Sequence, residues 1–441
     1  MSVLGSAAAY VELKALRGAA RLAPGWFEEQ LFRIAEVAAE SIPYAPGREF
    51  ARRMLRVGRE VLPRACPRCR TKIIDNLLAT AVTGKRVRAE YARRTGLEPP
   101  YFLVISPTMR CNLRCPGCYA AQYSKDDEMP LALLDRVLGE ARAMGMNFIT
   151  ISGGEPFLRE DLAELFEQHS DMYFQVYTNG TPIDDSLADR LAALGNVLPM
   201  ISIDGFEAET DRQRGRGTFR LITAAMDRLR ERGVPFGFSA TADRGNSETV
   251  VSDEFVDFLR GKGCSAGWYF NFMPVGDEAA LERMPTAGQR MERRRRLAEL
   301  RQRLPMMLLD FWNDGDMIGG CMAAGRYYAH INVHGDVEPC VFAHFAVDNV
   351  RSKPLHACLD SPFFRGIRAR QPYSHNHLRG CMIIDHPHVL RETVRESGAR
   401  PTCAGAGGII TGLAAGLDRR AAEWAAVADA EWAAQAIKGE K

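Results

Sequence analysis

The stretch "YFLVISPTMRCNLRCPGCYA", residues 101–120, joins a short apolar run to three closely spaced cysteines. Its first six residues, 101–106, have the aromatic and β-branched composition of a buried strand. Cys111, Cys115 and Cys118 follow with the spacing C-x3-C-x2-C. Disulfides use thiols in pairs, and a structural zinc ion needs four ligands. The spacing therefore indicates a cluster or metal that keeps one coordination position open, with a structural metal site completed from elsewhere in the chain as the alternative.

This strand is the first of six that alternate with amphipathic helices. We expect the strands at 101–106, 148–154, 173–180, 197–205, 235–242 and 267–276, and the helices near 130–144, 159–168, 184–194, 218–232 and 250–262. Six strand–helix units in series predict an α/β fold with a parallel sheet, open or curled into a partial (β/α)6 TIM-like barrel. Ligands of such sheets bind at the carboxyl ends of the strands, which is where the three cysteines lie.

The pattern along the chain divides it into five segments. We expect a helical N-terminal extension at 1–97, the partial barrel at 98–285, a linker helix at 286–305, a cysteine-rich region at 306–410 and a C-terminal helix at 411–441. Within the extension, helices are predicted at 6–20, 26–41 and 47–62, and the linker sequence "RMERRRRLAELRQRL" (290–304) is interpreted as a solvated helix.

Composition excludes some functional classes. The chain has 441 residues and a net charge of +2, so no nucleic-acid partner is expected. Glu12, Lys14 and Arg17 interrupt the apolar N-terminus before a secretory signal can form. Its eleven cysteines suit a reducing compartment, where clustered thiols bind metals. We therefore expect a cytoplasmic protein, with contact to a membrane surface left open.

Further motifs follow the later strands in a recognisable order. "GGEP" (153–156) follows the second strand, "YTNG" (177–180) the third and "SIDG" (202–205) the fourth, and "DRQRGRGTF" starts at residue 211. With the cysteine loop, this order resembles the radical S-adenosylmethionine superfamily over about residues 101–276. The resemblance implies that the three cysteines hold a [4Fe–4S] cluster whose open iron binds the methionine end of S-adenosylmethionine. It also implies that the reduced cluster splits the sulfonium and yields a 5′-deoxyadenosyl radical, which abstracts hydrogen.

The resemblance also implies a set of cofactor-binding residues. Gly153, Gly154, Glu155 and Pro156 would serve the methionine amine, Thr178, Asn179, Ser202, Asp204 and Ser239 would supply polar contacts, Arg214 would reach a carboxylate, and the backbone near Met273 would line the adenine. The family often has an aromatic residue directly before the third cysteine, where this chain has Gly117 and places Tyr119 after it. Strand-end capping is the alternative for each polar side chain.

A second cysteine group lies in the C-terminal third. Within it, "YYAHINVHGDVEPC" (327–340) predicts a hairpin that turns at "HGD". The longer stretch "CMAAGRYYAHINVHGDVEPC" (321–340) resembles the opening of SPASM and twitch extensions. The resemblance implies one auxiliary [4Fe–4S] cluster, and we predict Cys321, Cys340, Cys381 and Cys403 as its ligands. Cys66 and Cys69 of "CPRC" are ambiguous, because such a pair is half of a metal site, an exchanging dithiol or simply part of a helix.

The favoured function is a radical S-adenosylmethionine enzyme that abstracts hydrogen from an unactivated carbon of a small-molecule or lipid-like substrate, since the first hundred residues look all-helical. The alternatives are a maturase of a ribosomally made peptide, a non-catalytic iron–sulfur electron carrier and a zinc-binding interaction module. Asp310, Asp314 and Asp316 are candidate bases by analogy with SPASM dehydrogenases, with solvated turn carboxylates as the alternative. A reducing partner such as flavodoxin or ferredoxin is also expected.

Overall fold

The N-terminal part of the chain is helical. The computed structural model describes residues 24–42, 45–275 and 280–437, so the predicted helix at 6–20 lies outside the described residues. The helices are α1 (Pro24–Glu40), α2 (Ala45–Val61), α3 (Pro67–Lys72) and α4 (Ala79–Thr95). Buried Leu31, Phe32 and Leu55 form a small core that reaches Tyr173 of the barrel. The predicted helical extension is confirmed for the described residues.

The predicted series of strands and helices is confirmed. The strands are β1 (Phe102–Ile105), β2 (Phe148–Ile151), β3 (Tyr173–Thr178), β4 (Val197–Ser202), β5 (Gly237–Ala242) and β6 (Ala266–Asn271). The helices are α5 (Leu131–Ala143), α6 (Asp161–Gln168), α7 (Asp185–Leu194), α8 (Glu207–Arg214), α9 (Thr218–Glu231) and α10 (Asp253–Lys262). Neighbouring strands pair in parallel, so their carboxyl ends lie together at one end of a curled half-barrel.

The sheet is longer than the sequence predicted. β7 (Met307–Asp310) pairs in parallel with β6, and β8 (Tyr328–Ile331) pairs in parallel with β1 at the other side. β9 (Val337–Glu338) then pairs antiparallel with β8, which confirms the predicted hairpin. The resulting order is β7-β6-β5-β4-β3-β2-β1-β8-β9. The cysteine-rich region therefore shares a sheet with the barrel.

Helix α11 (Ala287–Arg303) differs from its prediction as a solvated linker. Arg290, Arg293 and Arg301 are only 5%, 0% and 2% exposed. The sequence could not reveal this, because each of the three pairs with an aspartate outside the helix. The interpretation as a solvated charged helix is wrong for this face, which packs into the core beside Leu297 and Leu300.

The rest of the C-terminal region consists of short elements and one long last helix. They are α12 (Gly315–Ile318), β10 (Phe345–Ala346), α13 (Leu355–Leu359), α14 (Pro362–Ala369), α15 (Pro387–Ser397), β11 (Arg400–Pro401) and α16 (Ala414–Ile437). Trp424 of α16 lies under the Arg290 guanidinium at 3.9 Å and fastens the last helix to α11. Within the described ranges, every helix lacks the length or the apolar character needed to cross a membrane.

Candidate active site and auxiliary cluster site

The loop after β1 brings its three thiols together. Within it the Cys118 N–H donates to the Cys115 carbonyl at 3.2 Å, which folds the loop back on itself. Burial raises the pKa of Cys115 to about 11; neighbouring Cys118 and Cys111 add to this rise, and Arg214 opposes it. The three cysteines therefore lie close enough to influence one another electrostatically. The arrangement and the thiol donors fit a [4Fe–4S] cluster held by three ligands.

The "GGEP" turn lies directly against the cysteine loop. The Gly154 N–H donates to the Thr108 carbonyl at 2.9 Å, and the Glu155 N–H donates to the Arg110 carbonyl at 2.7 Å. A Cβ atom on Gly154 would lie 2.2 Å from the Arg110 carbonyl oxygen, so the approach requires glycine. Gly153 has φ +115°, which also favours glycine. The two glycines thus permit close backbone contact between the two predicted cofactor-binding segments.

The Glu155 side chain points into the protein. Its carboxylate accepts hydrogen bonds from the Thr178 hydroxyl at 2.7 Å, the Asn179 N–H at 2.6 Å and the Phe157 N–H at 3.1 Å. Burial raises the pKa of Glu155 to about 7, against the effect of these donors. Pro156 begins the short 3-10 turn that follows. The predicted contact of Glu155 with an ammonium group stays a prediction, and the geometry favours a role in positioning the turn on β3.

The end of β3 reaches the cysteine loop through an amide pair. The Asn179 side-chain amide donates to the Asn112 side-chain oxygen at 2.9 Å and lies 3.9 Å from the Cys111 sulfur. Asn112 was not singled out from the sequence, since an asparagine inside a loop carries no periodic signal. It fixes Cys111 relative to β3.

The ends of β4 and β5 place a buried ion pair beside the cysteines. The Arg214 guanidinium donates to the Asp204 carboxylate at 2.7 Å, and the Thr241 N–H donates to the same carboxylate at 2.9 Å. Burial lowers the pKa of Arg214, but Asp204 and Cys115 more than offset this effect and hold it raised. Arg214 is thus a fixed positive charge near Cys115. Its predicted contact with a carboxylate of the cofactor stays a prediction.

The remaining predicted cofactor-binding residues lie around this centre. The Ser202 and Ser239 hydroxyl oxygens are 3.1 Å apart across β4 and β5. Tyr119 accepts a hydrogen bond from the Gly153 N–H at 3.2 Å, and its ring lies 5.7 Å from that of Phe342, which connects the cysteine loop to the C-terminal region. The Met273 side chain is buried, and its carbonyl accepts from the Val275 N–H at 2.9 Å.

The three candidate bases are held by arginines of α11. Asp310 accepts from Arg293 at 2.7 Å, Asp314 is bonded by Arg301, and Asp316 accepts from Arg294 at 3.1 Å. Burial raises the pKa of Asp314. Burial also acts to raise the pKa of Asp310, but the charge and hydrogen bond of Arg293 and the hydrogen bonds from Asn313 together outweigh it and lower this pKa. Their catalytic role stays a prediction. The ion pairs favour a structural role instead, because each carboxylate already has a cationic partner.

Three of the four predicted auxiliary ligands share one cavity. Cys321, Cys340 and Cys381 line it together with Phe311, Trp312 and Tyr328. The Tyr328 hydroxyl donates to the Cys340 sulfur at 2.9 Å, and the Ile383 N–H donates to the Cys381 sulfur at 3.3 Å. Such donors stabilise thiolates and cluster sulfur. The cavity therefore fits an auxiliary cluster bound by these three cysteines.

Cys403 does not line this cavity. It packs instead with Met109, Ala120 and Tyr123, beside Cys118 of the first loop. β11, directly before it, pairs with β10 and draws this segment toward the first cysteine loop. The assignment of Cys403 as the fourth auxiliary ligand stays a prediction that the geometry does not favour.

Iron analysis separates the auxiliary cysteines. In Cys381→Ala we expect a loss of about four irons per chain, because two thiols cannot retain a cluster. Cys403→Ala should keep its iron, because its sulfur lies outside the cavity. Iron and acid-labile sulfide in anaerobically reconstituted protein give the answer, with Cys264→Ala, a buried cysteine distant in sequence from both groups, as the control. Equal iron loss in the Cys381 and Cys403 variants would contradict this assignment.

A buried polar group behind the cysteine loop was missed from the sequence. The Glu338 carboxylate is fully buried and lies 2.6 Å from His330 Nδ1 and 3.5 Å from His344 Nδ1. Burial would raise the pKa of Glu338, but the two histidines lower it to about 2. The His344 ring stacks on Tyr119, 6.4 Å between centroids. His330 and Glu338 are register partners across the β8–β9 hairpin. The sequence predicted this hairpin but gave no signal that His344, beyond its end, would also reach the buried carboxylate.

Comparison with known proteins matches two regions of the chain to family models. The model of the radical SAM superfamily matches residues 105–255, and that of an iron–sulfur cluster-binding domain, SPASM, matches residues 321–382. The mycofactocin maturase MftC of Mycobacterium tuberculosis is 30% identical over 295 residues, 63% of this chain and 74% of that protein. The Fe-coproporphyrin III synthase of Methanosarcina barkeri is 32% identical over 153 residues, 34% of this chain and 38% of that protein.

Among solved structures, SuiB of Streptococcus suis bound to the precursor peptide SuiA has a similar fold. The TM-score is 0.54 at 21% identity, over 67% of this chain and 72% of SuiB. The similarity to the mycofactocin maturase extends over most of that protein. The chain therefore belongs to the radical S-adenosylmethionine superfamily and carries a SPASM iron–sulfur region behind its barrel.

Proposed function

We propose that this enzyme is a maturase that modifies a peptide precursor. One observation carries the proposal: the similarity to the mycofactocin maturase covers 74% of that protein, whereas the similarity to the Fe-coproporphyrin III synthase covers 38%. The sequence alone favoured a small-molecule or lipid-like substrate, and the comparisons support the alternative, a ribosomally made peptide, better. The enzyme uses S-adenosylmethionine, a [4Fe–4S] cluster and an auxiliary iron–sulfur cluster.

In this proposal the residues at the barrel site have separate roles. Cys111, Cys115 and Cys118 hold the cluster, and the "GGEP" backbone and the Asp204–Arg214 pair shape the place of S-adenosylmethionine. When bound, these groups supply a primary carbon radical that removes hydrogen from an unactivated carbon. The protein orients the substrate carbon and excludes water.

The wall of the half-barrel supports binding of an apolar part of the substrate. Trp268 and Phe270 alternate with buried residues along β6 and stack at 6.0 Å, partly exposed on one face. Tyr177 lies 5.7 Å from the Phe270 ring, and Phe311 lies 5.5 Å from it. Partly exposed aromatic rings at the ligand end of a barrel suit an apolar side chain. A peptide residue with such a side chain fits this wall.

Size-fractionated host extract tests the proposal. Reconstituted enzyme, S-adenosylmethionine and dithionite are incubated with each fraction, and 5′-deoxyadenosine is measured. We expect stimulation by the peptide fraction that disappears after protease treatment, and a changed mass for a peptide translated from a short reading frame beside the gene. Stimulation that survives protease, with every such peptide unmodified, would instead favour a small-molecule substrate.

A protein reductant for the barrel cluster, such as flavodoxin or ferredoxin, stays a prediction.

A further inference from the structure

The "CPRC" segment, Cys66 to Cys69, has no part in the proposed function and lies at the other end of the barrel from the clustered cysteines. The Cys66 N–H donates to the Gly233 carbonyl at 2.8 Å, shortly before β5 begins. The Cys66 sulfur lies 3.8 Å from the carbonyl of Ala192, close to the end of α7. Both contacts are at the amino ends of strands, whereas Cys111 follows the carboxyl end of β1. The segment is therefore separate from the radical site.

The two thiols of this segment form a pair. The Arg70 N–H donates to the Cys66 carbonyl at 2.9 Å and closes one helical turn. Residues three apart on such a turn lie on the same side. The Cys69 thiol lies close enough to Cys66 for Cys66 to add to the rise in its pKa that burial causes. Two cysteines placed on one side of a single helical turn are candidates for a disulfide between neighbouring thiols.

The two thiols differ in solvent exposure, and this difference affects thiol–disulfide exchange. Cys66 is partly exposed, whereas Cys69 is fully buried, and burial raises the pKa of the Cys69 thiol. An accessible sulfur can be attacked or can attack, while a buried sulfur reacts only with its neighbour. Gly233 and Gly195 let the segment lie closely on the barrel: a Cβ atom on Gly233 would lie 2.8 Å from the Cys66 nitrogen.

A metal site is the competing interpretation of two neighbouring cysteines. A zinc ion needs three or four ligands. Among the described residues, the Cys66 N–H and sulfur have polar contacts with the carbonyls of Gly233 and Ala192, and neither contact brings in a further His, Cys, Asp or Glu side chain. This favours chemistry between the two thiols themselves.

We infer that Cys66 and Cys69 form a thiol–disulfide exchange site for low-molecular-weight disulfides such as oxidised glutathione. The Cys66 thiolate attacks one sulfur of the small disulfide, whose S–S bond breaks and releases one thiolate. Cys69 then loses its proton to solvent and attacks the Cys66 sulfur, which releases the second thiolate. The protein loses two electrons and forms one disulfide, and the small disulfide gains the two electrons and becomes two thiols. The oxidation state of this pair, in the segment between the N-terminal helices and the barrel, would therefore follow the ratio of small disulfides to small thiols around the protein.

Mass spectrometry of the anaerobically reconstituted enzyme tests this site. The protein is equilibrated with defined ratios of reduced and oxidised glutathione, quenched in acid, alkylated with N-ethylmaleimide and cleaved after glutamate. Cleavage at Glu60 and Glu90 yields one peptide that contains Cys66 and Cys69 and no other cysteine. As the ratio becomes more oxidising, this peptide should lose both alkyl groups and the mass of two hydrogen atoms in a single step.

Single variants make the test directional. In Cys69→Ser we expect Cys66 to accumulate as a mixed disulfide with glutathione, because no second thiol can release it. In Cys66→Ser we expect Cys69 to stay reduced, because it is buried. Cys264 in the same digest is the buried control that should remain a thiol. Full alkylation of both cysteines at every ratio, or equal glutathione addition in both variants, would overturn the proposal. Unchanged iron content shows that the clusters survive the treatment.

Discussion

Cys115→Ala is expected to lose about four irons per chain and all S-adenosylmethionine-dependent formation of 5′-deoxyadenosine. The barrel cluster has only three protein ligands in our assignment, so the removal of one leaves two, which cannot hold it. Cys115 also lies near the Asp204–Arg214 pair: Arg214 lowers the pKa of Cys115, and Asp204 raises it. Iron, sulfide and 5′-deoxyadenosine are measured after anaerobic reconstitution with dithionite as reductant.

The matched control replaces a cysteine outside the loop that holds Cys111, Cys115 and Cys118. Cys358→Ala removes a fully buried thiol of α13 and should retain about eight irons and full cleavage of S-adenosylmethionine. Spectroscopy should show the auxiliary cluster intact in Cys115→Ala. A Cys115 variant with full iron content and undiminished 5′-deoxyadenosine would refute the assignment of the first site.

Asp310→Asn is expected to lower the free energy of unfolding by about 3–5 kcal/mol. Asp310 and Arg293 are both 0% exposed at their side chains, with 2.7 Å between Nε and Oδ2. The neutral amide leaves the Arg293 charge buried without its counterion, and desolvation of an unpaired charge is costly. Denaturation by urea under anaerobic conditions measures the loss. A catalytic base would give the opposite pattern, in which turnover falls and stability is unchanged.

An exposed ion pair on the same helix provides the control. Glu299 bonds Arg296, but its side chain is 58% exposed, so Glu299→Gln should change the stability by less than about 1 kcal/mol.

The contribution of the Asp310–Arg293 pair to stability should depend on pH, because the pKa of Asp310 is lowered in the folded protein. The stabilisation is present above the unfolded-state pKa of about 3.9 and is lost as the pH falls through the lower folded-state value. The stability difference between wild type and Asp310→Asn should therefore shrink in acid.

The six barrel strands were predictable because each combines an apolar run with a polar turn at its carboxyl end. "FITISGG" and "YFQVYTNG" show this clearly, and β2 and β3 begin where the runs begin. The cysteine spacing was equally explicit. Local composition and spacing suffice where a strand and its functional loop are adjacent in the chain.

Features that depend on distant pairing were not predictable. β8 pairs with β1, more than two hundred residues earlier in the chain. The sequence of β8, "YAHI", does not indicate which strand it pairs with. The arginines of α11 look solvated until their aspartates on other segments are known. Cys403 shows the same limit: its spacing fits a fourth ligand, while the pairing of β11 with β10 places it elsewhere.

The shared sheet has a consequence for attempts to recombine parts of this enzyme. Because β8 is hydrogen-bonded along the whole of β1, a chain cut before residue 306 would expose the backbone of β1 as an open strand edge. Such an edge invites pairing with other molecules, so the truncated half is expected to aggregate. Grafting a different cluster region onto this barrel must therefore supply a replacement strand as well as new cysteines.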